Sequence, residues 1–192
     1  MQKKIGVLAV QGAFAEHIRV LQKLDVHCIE IRKKADLESS SLNGLVLPGG
    51  ESTVMGKLLR ELELFDPIKK QIDDGLPVLG TCAGLILLAE EIAEYDTVHL
   101  GNMHIMARRN AYGRQSGSFQ TEQKFAQCGK IPMVFIRAPY IESVDTHVEI
   151  LAKVNHHIVA ARQENIVVTS FHPELTDDLT VHKYFLNIVH QK

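Results

Sequence analysis

Gly80-Thr81-Cys82-Ala83-Gly84 sets a cysteine between glycines placed two residues to either side, at the end of a short apolar run and ahead of a helix-period segment. This is the form of a nucleophile elbow with cysteine in the usual serine position. Such a nucleophile stands on a sharp strand-to-helix turn, and the glycines remove side chains that would clash in that turn. The N-terminus of the following helix carries partial positive charge, which favours thiolate over thiol at Cys82. The backbone N–H of Ala83 is then free to meet an oxyanion. Cys28, inside a strand-like run, and Cys128, in the polar stretch Gln127-Cys128-Gly129-Lys130, read as structural.

A cysteine nucleophile needs an imidazole base, and the imidazole needs a third group to hold it. Ser170-Phe171-His172-Pro173-Glu174 supplies both. Pro173 biases His172 away from helix, so the segment is expected to be extended, with His172 and Glu174 on one face. Glu174 would fix the tautomer of His172, and His172 would take the proton of Cys82. A second glycine pair follows another apolar run in Leu45-Val46-Leu47-Pro48-Gly49-Gly50-Glu51-Ser52, where backbone N–H groups of Gly49 and Gly50 could turn toward developing negative charge. Gly56-Lys57 does not make this a phosphate loop, because five residues separate Gly50 from Gly56 and Leu58 follows the lysine.

The elements that must position these groups alternate. Strands are expected over 5–10, 26–31, 44–47 and 77–80, with helices over 13–24, 52–64, 67–74 and 84–93 between and after them. Asp66-Pro67 is expected to open the third helix as N-cap and first residue. Strand-helix alternation implies a doubly wound, mostly parallel α/β sheet of flavodoxin-like kind, with chemistry beyond the carboxyl ends of the strands. The second half changes character. Strands over 103–107, 118–121, 133–137, 148–154, 158–162 and 166–171, with turns at Asn155-His156 and Glu164-Asn165, should add antiparallel strands to the sheet edge. Asp177-Asp178 caps a final helix over 179–189.

The whole chain reads as one domain of 192 residues, 45% hydrophobic and 23% charged. A formal net charge of −2 offers no electrostatic case for nucleic acid or an anionic membrane. No apolar run is long enough to span a bilayer, and no export signal is visible. Three cysteines, odd in number and widely spaced, read as reduced thiols in a cytoplasmic protein. No metal site is expected, because no Cys-x-x-Cys exists and the ten histidines form no pair with zinc-ligand spacing backed by cysteines; the adjacent His156-His157 read as turn residues.

Taken together, these motifs resemble the class I (triad) glutamine amidotransferases, most closely the glutaminase-subunit branch of pyridoxal 5′-phosphate synthases in vitamin B6 biosynthesis. The resemblance runs over essentially the whole chain. It is carried by Gly6-Val7-Leu8-Ala9-Val10-Gln11-Gly12, Leu47-Pro48-Gly49-Gly50-Glu51-Ser52-Thr53, Gly80-Thr81-Cys82-Ala83-Gly84-Leu85-Ile86, Arg109-Asn110-Ala111-Tyr112-Gly113-Arg114-Gln115, Phe135-Ile136-Arg137-Ala138-Pro139 and Ser170-Phe171-His172-Pro173-Glu174-Leu175. It implies a class I amidotransferase-like fold and a Cys82, His172, Glu174 triad that hydrolyses L-glutamine without a cofactor. It also implies a pocket lined by Gly50, Glu51, Ser52, Arg109, Ile136 and Arg137, and a partner lyase subunit that consumes the ammonia. Many class I members carry glutamine where this chain has Ile86, a departure that looks normal for the B6 branch. Arg137 ends an apolar run, where an unpaired charge would be costly, so an anion is expected beside it. Gln11 is expected at the partner interface or the oxyanion loop. The other chemistry open to a cysteine elbow is that of a free-standing cysteine hydrolase or stress protein on a similar sheet, which would not require the His-Pro-Glu segment.

Overall fold

The computed structural model describes residues 2–109 and 117–192. The motif residues Asn110, Ala111, Tyr112, Gly113, Arg114 and Gln115 lie outside the described residues. In chain order the elements are β1 (Lys4–Leu8), α1 (Phe14–Lys23), β2 (His27–Ile31), α2 (Lys34–Glu38), β3 (Gly44–Leu47), α3 (Ser52–Glu61), α4 (Phe65–Asp73), β4 (Val78–Thr81), α5 (Ala83–Leu88) and β5 (Ala89–Ile92). There follow β6 (Met103–Arg108), β7 (Ser118–Lys124), β8 (Lys130–Ile136), β9 (Tyr140–Val144), β10 (Glu149–Val154), β11 (His157–Gln163), β12 (Ile166–Thr169), a 3-10 turn (Pro173–Leu175) and α6 (Thr180–His190).

The main sheet runs β2-β1-β3-β4-β12-β11-β9-β6-β5, with β10 paired to β11. The β2-β1-β3-β4-β12 half is parallel throughout. Its inner strands are continuous apolar runs because helices cover both faces; every residue of β3, β4 and β12 is buried. Period-two alternation divides them between two cores. Leu45, Leu47, Val78, Ile166 and Val168 face one core with Met55 and Leu59 of α3, Ile68 of α4 and Leu85 of α5. Val46, Leu79 and Val167 face the other with Leu21 of α1 and Phe185 and Val189 of α6. The register pairs Leu47 with Gly80 and Thr169 with Thr81. The carboxyl ends of three neighbouring strands therefore stop at one level, and their loops open onto the same rim. Among the described residues no helix is long and apolar enough to cross a membrane.

The doubly wound, mostly parallel sheet with added antiparallel strands is as expected, and several elements differ in detail. The helix expected over 84–93 ends at Leu88, and Ala89–Ile92 pairs in parallel with β6. Ala-Glu-Glu-Ile favours helix locally, but pairing at the sheet edge overrides that preference. α4 begins at Phe65 with Leu64 as N-cap, so Pro67 sits inside the first turn. Proline is tolerated there because first-turn N–H groups have no intrahelical acceptor. β7 and β8 do not join the main sheet; they form a separate antiparallel ribbon. β9 and the five-residue α2 have sequence signals too short to stand out. Asn155, His156 and Glu164 adopt positive φ, consistent with the expected turns.

Candidate active site

Cys82 joins β4 to α5 with φ 49° and ψ −99°, left-handed backbone that a non-glycine residue rarely holds. The turn is enforced on both sides. A Cβ on Gly84 would stand 2.0 Å from the Leu47 carbonyl oxygen, and one on Gly80 would stand 2.9 Å from the Gly84 carbonyl. The Cys82 N–H donates to the Thr169 carbonyl at 2.8 Å, which pins the elbow to β12. Ala83 opens α5, so its amide has no intrahelical acceptor.

β12 delivers the imidazole to the same point. Past Thr169, the His172 N–H donates to the Val134 carbonyl at 2.8 Å. His172 Nδ1 donates to Glu174 Oε1 at 2.7 Å, and the imidazole also hydrogen-bonds to Cys82. The convergence of His172 and Glu174 has a different cause from the one expected. Pro173–Leu175 forms a 3-10 turn, not an extended segment, and the carboxylate folds back under the ring. Pro173 at the head of that turn has φ preset for it. Burial opposes the charged form of His172, but hydrogen bonds and charge from Cys82 and Glu174 outweigh it and raise the imidazole to about 10. Burial likewise opposes the Glu174 carboxylate, yet its electrostatic interaction with the His17 ring and the bond and charge of His172 hold it below its ordinary range. The arrangement favours an imidazolium between sulfur and carboxylate.

Cys82 and His172 line a cleft of about 500 Å³, together with Gln11, Gly49, Gly50, Glu51, Ser52, Ala83, Ile86, Arg109, Ile136 and Arg137. The structure therefore gathers every described residue for which a role was expected, except Glu174, which lies behind His172. A Cβ on Gly49 would lie 2.4 Å from His172 Cε1 and 3.4 Å from Cys82 Cβ, so backbone presses directly on the imidazole and the cysteine. Gln11 is tied to this loop: its Oε1 accepts from the Glu51 N–H at 2.9 Å, while the Gly49 carbonyl accepts from the Ala13 N–H at 2.9 Å. Gly12, at φ 90°, is required between them, since a Cβ there would fall 1.9 Å from Gly49 O.

Glu51 caps α3 by accepting from the Thr53 and Val54 amides at 3.2 and 2.7 Å, and its Oε1 receives Arg109 Nη2 at 3.0 Å. Desolvation works against the Glu51 charge, but these amides and Arg109 hold its carboxyl below the ordinary value. Arg109 also reaches Thr53 Oγ1 at 3.2 Å and lies over the Tyr95 ring. Arg137 is exposed and, among the described residues, has no ion-pair partner. Contrary to expectation, burial does not force an anion onto it, because β8 belongs to the separate ribbon and ends at the cleft mouth. Away from the cleft, Cys128 is exposed and burial pushes the Cys28 thiol up to about 11, so neither shares the environment of Cys82.

The sequence reading missed His17 and His182. Both are fully buried, and His17 contacts Glu174. A signal existed: each histidine falls on the apolar stripe of its helix, beside Phe14 and Leu21 in α1 and beside Phe185 and Leu186 in α6. Histidine in such a stripe needs polar company.

A model of the SNO glutamine amidotransferase family matches residues 7–191. The chain is 58% identical over 187 residues to the pyridoxal 5′-phosphate synthase subunit PdxT of Haemophilus influenzae, covering 96% of this chain and 97% of that one. It is 58% identical over 191 residues to the protein of the same name from Streptococcus pneumoniae, covering 98% and 99%. A crystal structure described as a glutamine amidotransferase superposes with a TM-score of 0.91 at 42% identity, covering 97% of this chain and 98% of that one. The structure of PurLQS from Thermotoga maritima, 16% identical with a TM-score of 0.71 and covering 100% of both chains, shares the fold.

Proposed function

The chain belongs to the SNO glutamine amidotransferase family, and from that premise we propose that it hydrolyses L-glutamine to L-glutamate and ammonia. The ammonia passes to a lyase subunit that makes pyridoxal 5′-phosphate, as the name of its 58% identical relatives suggests. The observation that carries the catalytic reading is the unbroken Cys82–His172–Glu174 contact series at the floor of an open cleft.

In this mechanism the Cys82 thiolate attacks the side-chain amide carbon of glutamine. The oxyanion is met by the Ala83 amide and by the Gly49-Gly50 loop. The tetrahedral adduct collapses, the C–N bond breaks, and His172 Nε2–H gives its proton to the departing nitrogen. Water, deprotonated by His172, adds to the thioester; cleavage of the C–S bond releases glutamate and restores the thiolate. Glu174 stays charged and holds the imidazole in place. Arg137 grips the substrate α-carboxylate at the cleft mouth, where a guanidinium fits two oxygens at once. Glu51, held charged by the helix cap and Arg109, suits an α-ammonium group, while Gly50, Ser52 and Ile136 shape the pocket wall. No step needs a cofactor.

Gln11 holds the oxyanion loop through the Glu51 amide, and reorientation of that loop when the lyase subunit docks would make turnover depend on the partner. All 192 residues serve one amidotransferase domain acting in the cytoplasm, a reading supported by the near-complete family match and three free cysteines. The test is glutamine hydrolysis with and without the lyase subunit, for wild type and Cys82→Ala. Loss of turnover in the variant and stoichiometric labelling of Cys82 by a glutamine-analogue electrophile are expected. Retained turnover would eliminate the mechanism, and turnover indifferent to the lyase subunit would favour a free-standing hydrolase.

A further inference from the structure

We propose that His17 is a positioning residue for this reaction: its Nε2–H holds the second carboxylate oxygen of Glu174, and His182 selects the tautomer that makes this possible. The chemistry rests on the glutaminase reading above; the geometry does not.

Glu174 is buried, and only one of its oxygens is accounted for by His172. Among the described residues Oε2 has no hydrogen bond that meets ordinary geometry, and His17 Nε2 stands 3.4 Å from it. A buried carboxylate oxygen without a donor carries a desolvation cost, so the nearest N–H matters. His17 is the group on hand, wholly buried in α1. Its Nε2 also lies 3.0 Å from Thr81 Oγ1, on the residue before the nucleophile, and its Nδ1 lies 3.0 Å from His182 Nε2.

With both imidazoles neutral, as their burial favours, only one proton arrangement suits all of these contacts. Ionised Glu174 accepts and never donates. Were Nε2 of His17 bare, its lone pair would face that carboxylate. With the proton on Nε2, Nδ1 becomes an acceptor, and His182 must donate to it from its own Nε2. His182 Nδ1 is then the bare nitrogen, which agrees with its lack of a hydrogen-bond partner among the described residues. Donation thus runs from α6 through α1 to the carboxylate that orients His172.

The charged and titratable groups facing His17 are Glu174 from the 3-10 turn, His172 beyond it, His182 from α6 and Glu16 on its own helix. Burial outweighs the carboxylates, keeping His17 below its ordinary value and neutral. Neutrality is the useful property. A neutral donor fixes the carboxylate without cancelling the charge that stabilises the His172 imidazolium.

The test compares His17→Leu, which suits the apolar stripe of α1, with His17→Gln, which keeps an N–H at similar reach. Each is assayed for glutamine turnover with the lyase subunit present. Each is also assayed for the pH dependence of Cys82 alkylation by iodoacetamide, which needs no assumption about the substrate. His17→Leu should lower kcat on the order of 10- to 100-fold with KM little changed, as a loosened catalytic group does. It should also move the alkylation midpoint up by about one pH unit, because a misplaced imidazolium stabilises the thiolate less. His17→Gln should recover most of both. Wild-type kcat and midpoint in His17→Leu, or equal damage in both variants, would overturn the proposal. If neither variant folds, imidazole nitrogen NMR on the wild-type protein decides: Nε2-protonated, neutral His17 is expected, and the Nδ1-protonated form refutes it. Failure of the wild type to hydrolyse glutamine would remove the function proposed above while leaving the alkylation and tautomer results to judge His17.

Discussion

Replacing Gly49 by alanine tests whether the imidazole is held in its working position by contact with backbone. φ at Gly49 lies outside the left-handed region, so the added methyl acts through space alone. That methyl would lie 2.4 Å from His172 Cε1 and 3.0 Å from Nδ1. To restore ordinary contact near 3.4 Å, the ring must retreat by about 1 Å. The Glu174 bond at 2.7 Å and the Cys82 contact both resist, so the retreat opens the sulfur–imidazole contact or shifts the loop that carries Gly49. A 1 Å misplacement of a catalytic group costs on the order of 100-fold in rate, equivalent to about 2.7 kcal/mol. The assay is steady-state glutaminase activity of the complex with its lyase subunit, read beside a thermal melt of the free chain. Gly49→Ala should lose kcat by about that factor while melting close to wild type, since the clash is with a side chain at a cleft. Activity within about twofold of wild type would refute the steric reasoning, because 1 Å of displacement cannot be catalytically silent.

Gly84→Ala should act on folding first: its Cβ would meet the Leu47 carbonyl oxygen at 2.0 Å, rigid backbone in the core, and chemical denaturation should register a loss of about 1–3 kcal/mol or more. Arg137→Met should raise KM for glutamine by about 10- to 100-fold and leave kcat comparatively unchanged, the signature of a lost charged hydrogen bond to substrate. His172 carries a folded value near 10 against an ordinary 6.5, so its stabilising contribution is complete below pH 6.5 and is lost as pH rises toward 10. Urea midpoints across that window should fall in wild type and fall less in His172→Gln. His182 behaves oppositely: burial pushes it down to about 3, so the unfolded chain takes up a proton that the fold refuses, and stability drops as pH falls from 6.5 toward 3. His182→Gln should flatten that acid limb.

The parallel half of the fold and the segments that meet at the cleft were legible because local rules govern them. Apolar runs mark strands buried on both faces, and paired glycines mark turns that no side chain could enter. Cys82 and the His172-Pro173-Glu174 segment declare themselves by type and spacing. What stayed hidden depended on partners distant in the chain. Ala89–Ile92 is a strand only because β6 lies beside it. Arg137 is exposed because its ribbon stands apart from the main sheet. Glu174 reaches His172 through a 3-10 turn that an extended reading could not foresee. His17, His182 and Thr81 come from two helices and a strand far apart in sequence, and nothing local announces their contact. The sequence by itself determined which atoms could react and which strands would carry them, since composition and period act over a few residues. Only the tertiary structure decided which buried polar atoms had to satisfy one another, because that demand arises when packing removes water from all of them at once.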